Sequence, residues 1–332
     1  SDSNGRGFLY AGGSGALETF VNQIGKHVTD PETGVSVIAR RRAAALVRQL
    51  EHPPKNPADR ISANPDKPMP LYALGSGSDY ASFLDHFGLA TLSLGFGGET
   101  EGTQYHSRYD SWYWYSHFGD PGFQYGVALA KVAGHAVLRF ADAPILPYRF
   151  GNFARDISNY VKEIEKLHAT MQKMTRRKNA LIEADAFELA SDPTKTYVPP
   201  EPKPAVPDVD FSPLEKAVAR LESAARAYDK AFAEHGDSLD AGAREKLNST
   251  LLTIGRELLY EDGLPRRGWF RNMVYAPGYY TGYGVKTLPG VREAVEHRDW
   301  DTAKKYIDIV AAALDDYSAR IEKATAILTA AG

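Results

Sequence analysis

Apolar positions fall into two regimes along this chain. Up to about residue 147, short apolar runs alternate with helical stripes. Phe8-Leu9-Tyr10 reads as a short strand ended by Gly12-Gly13. Residues 15–28 carry Leu17, Phe20, Val21 and Ile24 at helical spacing. A second helix is expected over 35–51, where Val35, Ala39, Ala43, Leu46 and Leu50 fall near one face. Residues 53–70 are rich in Pro, Asn and Asp and read as a loop. Leu71 to Tyr80 reads as a strand, a small-residue turn and a helix start, with Gly88 closing that helix as its C-cap. Leu89 to Leu94 is expected to be a buried strand, and a long helix should follow over about 120–141. This alternation predicts an α/β arrangement.

Beyond Pro144 and Pro147 the period changes to that of helices alone. Residues 153–174 carry Ile157, Val161, Ile164, Leu167 and Met171 on one stripe. Residues 189–210 hold six prolines and read as a linker or long loop. Ser212-Pro213-Leu214-Glu215 has the form of a capping box with proline at N1. It opens a stripe of Leu214, Val218, Leu221, Ala225, Tyr228 and Phe232. Leu247, Leu251, Ile254 and Leu258 repeat the pattern, as do Val310, Leu314, Tyr317, Ile321, Ala324 and Leu328. Four such helices predict an antiparallel bundle. An irregular aromatic segment, Trp269 to Tyr283, interrupts them. The division expected is 1–147 for an α/β domain and 148–332 for a helical one.

Composition narrows the function classes. The net charge of −3 is spread over both halves, which argues against a nucleic-acid surface. There are no cysteines, so disulfides and thiolate metal sites are excluded. No apolar run approaches the roughly 18–20 residues of a membrane span. The chain opens on Ser1-Asp2-Ser3-Asn4 without an initiator Met, as a processed or truncated piece would.

Candidate chemistry is sparse. His106, within Gln104-Tyr105-His106-Ser107, follows the glycine-rich acidic stretch Gly95 to Glu99 and precedes Asp110 and a dense aromatic run. That setting can present an imidazole at a sheet rim and orient it through a neighbouring carboxylate. Gly75-Ser76-Gly77-Ser78-Asp79 resembles a phosphate loop only superficially, lacking the GxGxxG spacing and the Walker lysine. It reads equally as a tight strand-to-helix turn, or as backbone laid against a peptide substrate. Tyr275 to Tyr283 either packs under the bundle or reaches a pocket of the neighbouring domain. No Gly-x-Ser-x-Gly elbow and no cysteine nucleophile support covalent hydrolysis.

Four stretches together carry a resemblance: Ser1-Asp2-Ser3-Asn4, Leu74 to Tyr80, Tyr105-His106-Ser107, and Tyr275-Ala276-Pro277 through Leu288-Pro289-Gly290. In order and spacing the chain resembles the C-terminal part of the glutamate carboxypeptidase II and transferrin receptor family of dizinc exopeptidases. The resemblance implies the end of a peptidase α/β domain followed by a helical dimerisation domain. It implies Asp2 as a ligand of one zinc and His106 as a ligand of the other. Tyr105 would touch substrate or intermediate, and Ser76 and Gly77 would wall the pocket beside the scissile bond. Tyr283 would reach over from the helical domain. In the family, the first zinc histidine, the bridging aspartate and the paired glutamates, one of them the general base, precede the position of Asp2. No catalytic residue therefore falls in this chain, and the chain alone is expected to be inactive.

The resemblance further implies a small peptide substrate for the intact protein, and a homodimer through the helical domain. Two departures bear on specificity. Glutamate-selective members place a lysine where Gly282 stands, and an arginine patch before the histidine motif. Here residues 92–104 contain no arginine, so a broader aminopeptidase or dipeptidase is expected. The alternative is a non-catalytic, transferrin receptor-like module for dimerisation and binding.

Overall fold

The computed structural model describes residues 1–54, 60–99 and 104–330. Part of the loop expected over 53–70 and part of the arginine-free stretch 92–104 lie outside them. The molecule is mostly helical, with two small two-stranded sheets.

The first half matches the α/β expectation only in outline. Strand β1, Gly7–Gly13, pairs antiparallel with β2, Leu92–Gly98, in the register Gly7 to Gly98 and Gly13 to Leu92. Gly95 to Gly98, read as loop, are the second half of β2. Glu99 just beyond them is held by Arg40 rather than left in an acidic loop. Residues 71–74 form no strand. Only Tyr72 bridges β1, in parallel sense, at Gly12. Glycine-poor runs are easier to read as strands, and three glycines in seven positions disguised β2.

Two helices cover this sheet. Helix α1, Glu18–His27, follows a tight turn at Gly15–Leu17 and buries Phe20, Val21 and Ile24 as its pattern predicts. Helix α2, Val37–Glu51, starts where Ser36 accepts a hydrogen bond from the Ala39 amide. Its buried face is not the expected aliphatic stripe. Val35 and Leu50 are exposed, Leu50 by 84%, while Val37, Ile38, Arg41 and Arg42 are buried. The cause is the coil that follows, whose carbonyls lack ladder partners and need donors. Arg41 Nη2 donates to Pro70 O at 2.7 Å and Arg42 Nη1 to Ser62 O at 2.5 Å.

The helix expected from residue 78 shrinks to one wide turn, Ser82–His86, closed as expected by Gly88 at φ +64°. Gly88 packs against Gly255, where an added Cβ would lie 2.3 Å from the Gly88 carbonyl oxygen. Helix α3, Gln124–Ala141, buries Tyr125, Ala128 and Val132 against the sheet side.

The second half is built on α4, Phe150–Glu183, longer than its stripe suggested. Its first amides, Phe150 N and Gly151 N, donate to the Asp229 carboxylate at 3.1 and 3.0 Å, a cap supplied from another helix. Asp229 belongs to α5, Ser212–His235, and His168 midway along α4 packs on Phe211, just before α5 begins. Those two contacts set α4 and α5 antiparallel. The proposed capping box at Ser212 does not form. The helix begins on Ser212, whose amide donates to Asp210 Oδ1 at 2.9 Å, with Pro213 in the first turn.

Of the loop expected over 189–210, Leu189 ends a short helix, Ala186–Leu189, and residues 190–210 contain no helix or strand, yet they are tied down. Asn179 exchanges two hydrogen bonds with the Lys203 backbone, and Arg298 donates to Pro204 O at 3.0 Å. Helix α6, Ala241–Leu252, stops before Ile254, and Ile254–Leu258 continue as a tighter turn. The aromatic segment contains a hairpin, β3 Tyr275–Pro277 with β4 Val285–Thr287. Helix α7, Pro289–His297, follows it, and α8, Trp300–Ala330, closes the bundle along α5. The hairpin and α7 carry no long apolar stripe and were not expected. Among the described residues, no helix is long and apolar enough to cross a membrane.

Candidate functional site

The turn Gly75-Ser76-Gly77 is pinned by the loop between β3 and β4. Ser76 N donates to Tyr283 O at 3.1 Å. A Cβ on Gly75 would meet that same oxygen at 2.2 Å, so only glycine permits this approach. Gly77, at φ +100°, lies under the Tyr283 ring, 2.8 Å from where its Cβ would stand. The Tyr283 ring is itself 59% exposed. The structure therefore brings Ser76, Gly77 and Tyr283 together. Gly282 beside it, at φ +59°, faces open space and adds no charge.

Tyr80 donates its hydroxyl to Ser76 O at 2.9 Å, extending this platform. Burial first, then the charges of Tyr10, Asp85 and Asp2, push the Tyr80 phenol up to about 12. Asp2 also acts on Tyr10, whose phenol is raised chiefly by burial. Asp2 thus stands within electrostatic reach of the Ser76 platform. It lines a cavity of about 390 Å³ between β1, β2 and α2.

Among the described residues, Tyr105 and His106 make no hydrogen bond, ion pair or ring contact with this group. Their rings stack at 3.8 Å on the turn 104–110, and His106 adopts φ +58°. The turn is closed by Ser107, whose amide and hydroxyl donate to Gln104 O at 3.0 and 2.7 Å. Among the described residues, no hydrogen bond, ion pair or ring contact joins His106 to Asp110, or either residue to Asp2, Ser76, Gly77 or Tyr283. The sheet here is an antiparallel pair, so it offers no row of parallel strand ends at which a rim histidine would be presented.

Zinc, implied by the resemblance, does not fit the residues present. Among the described residues, no group of three His, Asp or Glu side chains is placed to hold a metal ion. Three protein ligands are the ordinary minimum for zinc. Asp2 and His106 supply one carboxylate and one imidazole, fewer than that minimum.

The sequence reading missed several residues that shape this region. Arg41, Arg48, Tyr10 and Tyr72 line the Asp2 cavity. The run Arg40-Arg41-Arg42 on an otherwise aliphatic helix was the available signal. Asp85, buried and without a side-chain partner, carried none.

Comparison with known proteins bears on the same regions. The transferrin receptor-like dimerisation domain matches residues 209–322. A probable glutamate carboxypeptidase of Arthroderma benhamiae is 33% identical over 240 residues, covering 71% of this chain and 28% of the relative. A probable glutamate carboxypeptidase of Arabidopsis thaliana is 30% identical over 232 residues, covering 70% and 27%. An aminopeptidase of Rattus norvegicus is 23% identical over 267 residues, covering 76% and 31%. The chain thus spans 27–31% of the length of these relatives. By its dimerisation domain and by these relatives, the chain belongs to the glutamate carboxypeptidase II and transferrin receptor-like family.

Proposed function

We propose that this chain is the C-terminal part of a zinc-dependent exopeptidase that hydrolyses small peptides, inactive by itself. The observation that carries the reading is the platform of Ser76 and Gly77 under Tyr283, with Asp2 within electrostatic reach of the Tyr80 phenol that joins it. It offers a glycine-lined surface to an extended peptide, with a phenol able to donate a hydrogen bond to a substrate carboxylate. Gly282 supplies no cation there, so a neutral C-terminal residue suits the site better than glutamate. In the longer protein, Asp2 and His106 would each complete a metal ligand set begun by residues outside this chain, and Tyr105 would face the substrate.

The test compares the isolated chain with the full-length protein on dipeptide and aminoacyl substrates. The isolated chain should show no turnover with added zinc. The full-length protein should lose about 100-fold or more on His106→Ala, with loss of bound zinc. Turnover by the pure 332-residue chain overturns the assignment of the general base outside it. Full activity of His106→Ala overturns the metal role.

We further propose a symmetric homodimer through the helical half. The dimerisation-domain match over 209–322 supports it. Tyr275 is core and contributes no surface to such an interface, whereas Trp269, 46% exposed, stacks on His86. Light scattering at micromolar concentration should give twice the 36.5 kDa chain mass. A clean monomer counts against the dimer. A second reading is a non-catalytic module for dimerisation. A full-length protein that binds no zinc and still dimerises would select it.

A further inference from the structure

The loop between β3 and β4 carries tyrosines with different partners. Tyr283 lies over Gly77, while Tyr279 and Tyr280 meet α7. Tyr279 N donates to Glu293 Oε1 at 2.6 Å. The Tyr280 ring lies 5.7 Å from that of His297, with planes 76° apart. The two adjacent phenols stand at 85° with centroids 4.7 Å apart, and so form a corner. That corner lines a cavity of about 300 Å³ between the loop, α7 and the start of α8, a size that suits a free amino acid. Ser76, Gly77 and Tyr283 take no part in its lining.

The charges on its walls are of both signs. Arg266 stands at φ +62°, a conformation that costs a residue with a side chain energy. It is exposed, and its guanidinium lies 5.8 Å from the Tyr279 ring centroid. Among the described residues its side chain makes no ion pair and no hydrogen bond. Across the cavity's lining is Asp299, also exposed. Its carboxylate caps α8, accepting from Thr302 N at 3.1 Å and Thr302 Oγ1 at 2.7 Å, and makes no ion pair among the described residues. Glu293, the third charged group of the lining, is already paired with Arg267. Arg266 and Asp299 thus share one cavity without neutralising each other.

A cationic ligand would meet Arg266 there, and an anionic one would meet Asp299. A ligand that carries both charges satisfies both. We propose that this cavity binds a free neutral amino acid. The planar Arg266 fork takes the carboxylate, and Asp299 takes the ammonium. The apolar side chain packs in the corner of Tyr279 and Tyr280. Glutamate fits less well, because its second carboxylate adds a negative charge and Arg266 is the lining's one unpaired guanidinium among the described residues. A free amino acid is what an exopeptidase releases, so as a product site the proposal rests on the exopeptidase reading. As an amino-acid site it stands on its own.

The test is calorimetric titration of the chain, in chelator, with L-leucine, L-leucinamide and N-acetyl-L-leucine. The amide lacks the carboxylate, and the acetyl derivative lacks the ammonium. Each should bind about tenfold more weakly than L-leucine, and L-glutamate should also bind more weakly. Arg266→Gln should bring L-leucine down to the level of L-leucinamide. Asp299→Asn, which keeps the cap on α8, should bring it down to the level of N-acetyl-L-leucine. Both variants should melt with the parent, so that a loss of binding is not a loss of fold. No binding of L-leucine, equal binding of all three ligands, or an affinity unchanged in either variant would overturn the proposal. Tighter binding of L-leucinamide than of L-leucine would overturn it in favour of a site for organic cations. Neither metal nor turnover enters the titration, so its failure is distinct from that of the exopeptidase reading, which the full-length protein's zinc content and activity decide.

Discussion

Asp85→Asn is expected to stabilise the protein, and by more as the pH rises. Asp85 is fully buried on the turn Ser82–His86, and neither carboxyl oxygen has a hydrogen-bond partner. Burial alone pushes its carboxyl up to about 8 from the ordinary 3.8. Below pH 3.8 the group is protonated whether the chain is folded or not, and contributes nothing. Between 3.8 and about 8 the unfolded chain gives up the proton while the folded one keeps it. Folding stability then falls by roughly 1.4 kcal/mol per pH unit and levels off above the folded value.

The asparagine variant escapes that loss. It should match the parent at pH 4 and exceed it by up to about 4 kcal/mol at pH 7, or on the order of 5–10 °C in melting midpoint. Its amide still lacks partners, which holds the gain below the full linkage value. Melting curves from pH 4 to 9 decide the matter. Parallel pH dependences for parent and variant would show that Asp85 is ionised and solvated in the folded protein. The structural role of this position lies in its backbone. The Asp85 carbonyl accepts from Arg271 N and Asn272 N at 2.8 and 3.0 Å, locking the first half to the hairpin segment. That duty belongs to the main chain and places no demand on the side chain.

Long amphipathic stripes were legible because one periodic face meets one partner. The stripes of α1, α4, α5 and α8 all point inward as their spacing requires. Helix α2 shows where that logic fails. Its aliphatic stripe faces out because two arginines had to face in, to serve carbonyls of a coil that periodicity does not describe. The β2 strand was half-read because Gly95, Gly97 and Gly98 hide a strand from any propensity argument. At the candidate site, Ser76, Gly77 and Tyr283 meet through backbone contacts that only glycine allows. Two glycines in a short motif, Gly75 and Gly77, made that closeness readable. The arginines of the Asp2 cavity were not readable, because their role depends on which face of α2 is buried.

Arg155→Ala is the substitution expected to cost most. Arg155, on the second turn of α4, donates from Nη2 to both oxygens of Glu18, at 3.0 and 3.3 Å. Glu18 opens α1 and is fully buried. Its other acceptor contact is the Leu71 amide at 3.2 Å. Burial raises the Glu18 carboxyl, and the Arg155 charge pulls it back down. Removing the guanidinium leaves a buried carboxylate with one backbone donor, a loss typically of about 3–5 kcal/mol. The variant can relieve part of this by protonating Glu18, so its deficit should shrink toward pH 5 and widen toward pH 8. Glu18→Gln in the same chain removes the stranded charge and should restore much of the loss, whereas two independent sites would simply add. The pair spans the contact between α1 and α4, where Arg149 N also donates to Ala16 O at 2.9 Å. Hydrogen exchange should accordingly rise at both helices together in the single variant. A melting midpoint within about 2 °C of the parent at pH 8 would mean that water, and not Arg155, balances Glu18.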